Sequence, residues 1–168
     1  MPVPKKVTNF LDKKNARYKI IEHKTVYTAF DKTQTLKLKP YAVGKTLVLK
    51  NGHDFAIASL PANKNLDKRK FKRLFNEQRK KKGKKPVKKI RLASEKWMKK
   101  KLRGVKLGAV PPFGSLFKCP TFVHKSLLGH SKMIMNSGHY DYSISISPSA
   151  FKKAVPDLST GSFTKARK

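Results

Sequence analysis

The dipeptide Asn51-Gly52 stands between two short apolar runs, KTLVLK (45–50) and FAIASL (55–60). An Asn-Gly pair between strand-like segments is a strong hairpin signal, because a tight turn needs residues that tolerate positive φ. This one feature places an antiparallel pair in the first half of the chain. The remaining segments alternate irregularly. Residues 7–16 carry Val7, Phe10 and Leu11 on one helical face. YKIIE (18–22) reads as a strand. Thr28, with Asp31 three residues on, predicts the N-terminus of a short helix over 29–36, and Pro40 ends that region. Asp67 predicts the cap of a helix running to about Gln78, with Phe71, Leu74 and Phe75 as its apolar stripe and Lys68, Arg69, Lys72 and Arg73 as its basic face. Residues 90–92, 121–123, 132–136 and 142–147 are strand candidates. Ser94 opens a helix toward Lys101, and Pro148 starts a last helix that ends before Pro156. A hairpin embedded in irregular alternation predicts a mixed α/β fold rather than a doubly wound parallel sheet. There is no internal repeat.

At 168 residues the chain suits one domain, expected over 1–156, and can bury roughly 68–70% of its unfolded surface without disulfides or a structural metal. Residues 157–168 hold too few apolar side chains to pack and are expected to form a flexible basic tail. Charge is the dominant compositional fact. Forty-one Lys+Arg face nine Asp+Glu, a formal +32. So large an excess repels itself unless something anionic neutralises it, with nucleic acid the first candidate and an acidic membrane surface the second. Lysine outnumbers arginine, which favours phosphate attraction over bidentate base reading. The run RKKKGKKPVKK (79–89), broken by Gly83 and Pro86, is expected to be a mobile basic loop. Its Lys80, Lys81, Lys82, Lys84, Lys85, Lys88 and Lys89 are candidate contacts to nucleic acid.

Cys119 is the only cysteine, so no intrachain disulfide exists and a reducing, cytoplasmic setting fits. The start MPVPKKVTNF has charge but no apolar stretch after it, unlike a secretory signal. No apolar run approaches the ~20 residues of a spanning helix, and no membrane partner is expected. His124, His130 and His139 fit no standard zinc spacing, so no metal site is expected. A Cys119–His pair lacks an orienting third group, and no G-x-S-x-G elbow appears.

Three segments carry candidate chemistry. The loop GAVPPFG (108–114) joins two rigidifying prolines to glycines that permit close backbone approach, so it can hold N–H groups against a ligand oxygen or serve as a rigid turn. Lys45, after Gly44, stands at a strand mouth, where it can hold a phosphate or polarise a carbonyl. NSGHYDYSISISPSAF (136–151) places a Ser137-Gly138 turn before an alternating strand.

In this order, the segments YKIIEHKTVYTA (18–29), VGKTLVLKNG (43–52), FAIASLPANKNLDKRKF (55–71), RLASEKWMKKKLRGVKLGAVPPFG (91–114) and NSGHYDYSISISPSAF resemble the YbaK/ProX family of aminoacyl-tRNA deacylases. That family also appears as the editing insertion of bacterial prolyl-tRNA synthetases. The resemblance spans roughly residues 10–155. It implies a small mixed sheet, partly closed like a barrel, surrounded by helices. The implied activity is trans-editing: hydrolysis of the ester on mischarged tRNA, of the tRNA(Pro) type, without metal or cofactor. The implied partners are the aminoacylated 3′ end of tRNA and an aminoacyl-tRNA synthetase. Lys45 matches the family's functional lysine, and Gly108 and Pro112 bound its Gly-x-x-x-Pro loop. These three are the expected catalytic residues. His23, Tyr27, Thr28, Ala109, Val110, Pro111, Phe113, Gly114, Ser137 and Gly138 are the expected substrate-binding set. His124 stands where the family commonly has an aspartate. The competing reading is a non-catalytic, basic RNA-binding protein that keeps the fold.

Overall fold

The computed structural model describes residues 3–167. It begins with helix α1 (Lys5–Lys13), strand β1 (Tyr18–Glu22) and helix α2 (Ala29–Leu36). Thr28 caps α2 through Oγ1, which accepts the Asp31 N–H at 3.0 Å, as the spacing predicts.

The hairpin follows as β2 (Gly44–Asn51) and β3 (Asp54–Pro61). Its register runs from Gly44 opposite Pro61 to Asn51 opposite Asp54. The two-residue turn is therefore Gly52-His53, one position later than expected. Gly52 takes φ +59°, which costs glycine least. Strand β4 (Lys64–Leu66) comes next, unanticipated from the sequence, and then helix α3 (Lys68–Lys81). Phe71 and Phe75 of α3 are buried on the β2–β3 sheet beside Leu49, Ala58, Leu60 and Phe122. Each buried Phe contributes about 1.5–3 kcal/mol of transfer free energy, so this face fixes α3 in place.

The expectation of a loop over 79–89 is corrected. The first three residues of the run belong to α3. The Asn76 amide then brackets Val87, donating to its carbonyl at 3.1 Å and accepting its N–H at 2.8 Å, while Arg79 Nε donates to the Lys85 carbonyl at 2.6 Å. Periodicity did not show this because the ties are polar contacts back to the helix.

Beyond β5 (Arg91–Leu92) and α4 (Glu95–Lys101), the chain forms β6 (Thr121–His124), β7 (Met133–Asn136), β8 (Tyr142–Ile146), α5 (Pro148–Ala154), β9 (Ser159–Gly161) and β10 (Thr164–Ala166). One sheet has the order β5-β2-β3-β6-β9, antiparallel around β2 and parallel at β3–β6 and β6–β9. A second, antiparallel sheet runs β1-β8-β7, and β10 pairs with β4. The fold is mixed α/β. A parallel bridge between Val43 and Ile134 joins the two larger sheets. Helices α1 and α5 pack Val7, Leu11 and Phe151 on the Met133, Met135, Ile144 and Ile146 face of the second sheet.

The expectation for 157–168 is also corrected: the folded unit continues past residue 156. Two short strands lie there, and between them Phe163 is 0% exposed, edge-on to Phe71 at 5.6 Å. One aromatic entering a slot built by distant segments, plus ladder hydrogen bonds, packs a stretch that has few apolar residues of its own. Lys168 lies outside the described residues.

Candidate active site

The GAVPPFG segment divides into a buried anchor and an exposed lip. Ala109, Val110 and Phe113 are buried, with Phe113 5.4 Å from Phe10 and 5.5 Å from Phe151. Gly114 is structural. A Cβ there would stand 2.4 Å from the Cys119 carbonyl, and its N–H donates to Thr121 Oγ1 at 2.8 Å. Gly108 is exposed, at the lip. A Cβ there would come within 3.0 Å of the Tyr140 ring and 3.2 Å of the Tyr27 carbonyl.

Two backbone bonds clamp the 136–139 turn onto this loop: Gly138 N–H to the Ala109 carbonyl at 2.8 Å, and Lys106 N–H to the Gly138 carbonyl at 2.9 Å. Gly138 sits at φ +98°, a conformation that glycine adopts without strain. Ser137 is fully buried and its Oγ donates to the Tyr142 carbonyl at 2.7 Å, so it shapes the turn. Segment 23–28 is stitched to the same turn. Val26 N–H meets the Tyr140 carbonyl at 3.2 Å, His23 N–H meets the Asp141 carbonyl at 2.9 Å, and the Thr25 hydroxyl bonds the Asp141 carboxylate. Tyr27, 64% exposed, lies edge-on to Tyr140 at 4.7 Å.

These segments border a narrow recess of about 10 Å³, room for about one water. Its walls are Val26, Tyr27 and Thr28, the Gly108-Ala109 backbone, Asn136, His139, Tyr140, and Lys32 of α2. A wider groove continues outward past Gly108 between Tyr27, Tyr140 and α4, with Lys99, Arg103 and Lys106 among its lining residues. Of the expected site residues, Tyr27, Thr28, Gly108 and Ala109 meet in the cavity. Pro111, Pro112 and Phe113 form the buried support behind it. His23 stands apart: Nδ1 donates to the Lys24 carbonyl at 2.8 Å and Nε2 accepts from Ser143 Oγ at 2.9 Å.

Lys45 does not line this cavity. Counting two residues on from the Val43–Ile134 bridge brings Lys45 on β2 level with Asn136 on β7. Its ammonium is half-buried. Burial, and then the nearby Arg167 guanidinium, pull its pKa down. Arg167 donates to the Ala62 carbonyl at 3.3 Å and lies 5.8 Å from the Phe30 ring, so the chain's last described residue flanks α2.

Sequence reasoning missed Lys32, Asn136, Tyr140 and the cavity role of His139. Lys32 is 4% exposed, and Nζ donates to Asn136 Oδ1 at 2.7 Å. Burial lowers its pKa to about 8. Amphipathic spacing treats a lysine in a basic chain as solvated, so no local signal singled it out. His139 Nδ1 accepts the Asp141 N–H at 3.1 Å, which assigns the proton of a neutral ring to Nε2.

The other histidines lie elsewhere. His124 ends β6, where Nδ1 accepts the Ser126 N–H at 3.2 Å and Nε2 bonds Thr164 Oγ1 at 3.2 Å. It ties the sheet to the C-terminal strands. Burial, followed by Lys125, Lys70 and Lys64, lowers its pKa. His130 stacks on Tyr41. No group of three or more His, Cys, Asp or Glu suited to a metal occurs among the described residues. Burial pushes the Cys119 thiol up to about 12, which keeps it protonated and poorly nucleophilic at neutral pH. Among the described residues no helix is long and apolar enough to cross a membrane.

Lys80, Lys81, Lys82, Lys84, Lys85, Lys88 and Lys89 are all exposed. Arg79–Asp54, at 2.8 Å, is the one ion pair among the described residues, so these lysines have no acidic partners there. Lys80 and Lys84 share one surface with Arg69, Lys72 and Arg73, interrupted by Glu77.

The fold and site define a mixed α/β domain that carries a small recess behind a Gly-Pro loop and a separate basic surface on α3. Residues 23–154, well over half of the chain, match the family of the aminoacyl-tRNA editing domain, and the chain belongs to that family. Two solved structures show the same fold at 18% identity. A candidate trans-editing enzyme for prolyl tRNA synthetase aligns over 96% of each chain with a TM-score of 0.78. The hypothetical protein APE2540 aligns over 95% of this chain and 99% of its own, with a TM-score of 0.76. No curated protein matches the chain.

Proposed function

We propose that this protein is a trans-editing deacylase, which hydrolyses the ester between a wrongly attached amino acid and the terminal ribose of tRNA, with tRNA(Pro)-type molecules as substrates. The observation that carries this reading is the cavity itself. Within an editing-family chain, the Gly108 lip, the 136–139 turn and the start of α2 converge on a small recess that shares Tyr27, Gly108 and Tyr140 with the wider groove outside it.

In this reading the aminoacyl ester enters past Gly108, and the terminal adenosine lies in the outer groove against Tyr27 and Tyr140. Lys45, with Arg167 beside it, anchors the terminal phosphate. Pro111 and Pro112 hold the lip rigid, so the ester meets a pre-formed wall. No carboxylate lines the cavity, and the hydroxyl next to the ester on the tRNA's own ribose orients the attacking water. The lysines at 80–82, 84, 85, 88 and 89 bind the tRNA body through phosphates. An aminoacyl-tRNA synthetase is a further partner, and the cytoplasm is where both would meet the enzyme.

The test is a panel of mischarged tRNAs assayed for ester loss with wild type and Lys45→Ala. Catalytic turnover of at least one member is expected, with most of it lost in a folded Lys45→Ala protein. A wild type that binds tRNA but deacylates none of the panel would establish a non-catalytic RNA-binding protein instead.

A further inference from the structure

Ester hydrolysis places negative charge on the carbonyl oxygen, and the site needs something to receive it. The loop expected to supply backbone donors has few to offer beyond the N–H groups of Val110 and Phe113, two buried residues. The Gly108 N–H points to the Tyr140 hydroxyl at 3.4 Å, the Ala109 N–H to the Lys106 carbonyl at 3.0 Å, and the Gly114 N–H to Thr121 Oγ1. Pro111 and Pro112 have no N–H at all.

Lys32 is the contrast. It lies on the cavity wall, 4% exposed, and its ammonium has three donors but one acceptor, Asn136 Oδ1 at 2.7 Å. No carboxylate neutralises it, since Arg79–Asp54 is the one ion pair among the described residues. A buried, unpaired ammonium is expensive, and an apolar side chain of equal length would fill the same space without that penalty. A cation held in place at such a cost, on the wall of a recess with room for about one water, is a pre-organised receptor for developing negative charge.

We propose that Lys32 is a catalytic residue of this site, whose ammonium binds the carbonyl oxygen of the aminoacyl ester and stabilises the oxyanion formed when water attacks. Asn136 is its positioning residue. The proposal rests on the reading of the cavity as the deacylation site. In the step, a water oxygen bonds to the carbonyl carbon and the C=O electron pair moves onto oxygen, toward Lys32 Nζ. The pair then returns as the C–O bond to the ribose breaks. The ribose oxygen takes up one of the water's protons, the other passes to solvent, and the amino acid leaves as a carboxylate. Lys32 keeps its proton throughout. Its pKa of about 8 leaves it mostly charged at neutral pH.

The experiment is single-turnover deacylation at saturating enzyme, using a mischarged tRNA on which wild type acts, with uncharged-tRNA affinity and melting measured alongside. Lys32→Met is expected to lower the first-order rate constant roughly 10²–10³-fold while tRNA affinity stays within about two-fold, because only the transition state loses the interaction. A folded Lys32→Met with the wild-type rate, or one that loses affinity alone, overturns the proposal. If Lys32→Met is silent while Lys45→Ala is impaired in the same assay, the deacylase reading stands while Lys32 drops out. A wild type inactive on every tRNA removes both. If Lys32→Met does not fold, Lys32→Arg decides through its pH profile. The wild-type enhancement over spontaneous hydrolysis should fall as pH rises past about 8, and that of Lys32→Arg should stay level. His139, Tyr27 and Tyr140 also line the cavity and are common to both proteins, so profiles that coincide reject the role of Lys32.

Discussion

Replacing Lys32 with methionine should leave the protein at least as stable as wild type at pH 7, although it removes the one hydrogen bond of a buried side chain. The magnitude follows from the structure. Lys32 has a pKa of about 8 in the fold against 10.5 when free, with burial the cause. Such a gap amounts to roughly 3 kcal/mol of penalty on the charged, folded state at neutral pH. Methionine is close in size and lifts that penalty. Against this, Asn136 Oδ1 loses its partner, which costs about 1–3 kcal/mol. The net expectation runs from no change to a gain of roughly 2 kcal/mol, at about 2–4 °C of Tm per kcal/mol for a domain of this size. The sign with pH is fixed. Below about pH 8 lysine is charged in both states and the penalty is fully present. Between about 8 and 10.5 the unfolded chain binds more protons than the folded one, so wild-type stability rises with pH. The advantage of Lys32→Met should therefore shrink across that window. General relief of positive charge and the titration of Lys45 act on both proteins and cancel in the difference. Urea unfolding of both at pH 7, 8, 9 and 10 measures it. A variant several kcal/mol weaker at pH 7, or a difference that does not move with pH, would refute the reasoning.

Three other outcomes follow from the geometry. Gly108→Val should impair deacylation more than stability, because its Cβ presses on the exposed Tyr140–Tyr27 lip, whereas Gly114→Ala should destabilise strongly through the 2.4 Å approach to the Cys119 carbonyl; melting curves and rates measured together separate them. Neutralising Lys80, Lys81, Lys82, Lys84 and Lys85 should weaken tRNA binding and flatten its salt dependence, by a slope of about 0.7–0.9 per lost phosphate contact, with the rate at saturating tRNA little changed. Phe163→Ala should cost about 3–5 kcal/mol in denaturant unfolding, and a loss below about 1 kcal/mol would return the C-terminal segment to the status of a tail.

The sequence by itself determined the features whose causes are local. The β2–β3 hairpin to within one residue of its turn, the Thr28, Asp67 and Ser94 caps, and the Phe71–Phe75 stripe each depend on residues within a turn or two of one another, where spacing carries the physics. The ordered segments around Lys45 and GAVPPFG carried the family as well. The tertiary structure alone decided which cation belongs to the cavity. Lys32 and Lys45 are both lysines in a strongly basic chain, and nothing in their neighbours marks one as buried. Lys32 enters the cavity because α2 turns that face toward Asn136, 104 residues away. It also decided that Phe163 and Arg167 return to the body of the domain, since a ladder to β6 and a slot beside Phe71 draw them in. Desolvation depends on what surrounds a group in space, and the free energy of burying a charge or an aromatic ring is set by contacts between segments far apart in the chain.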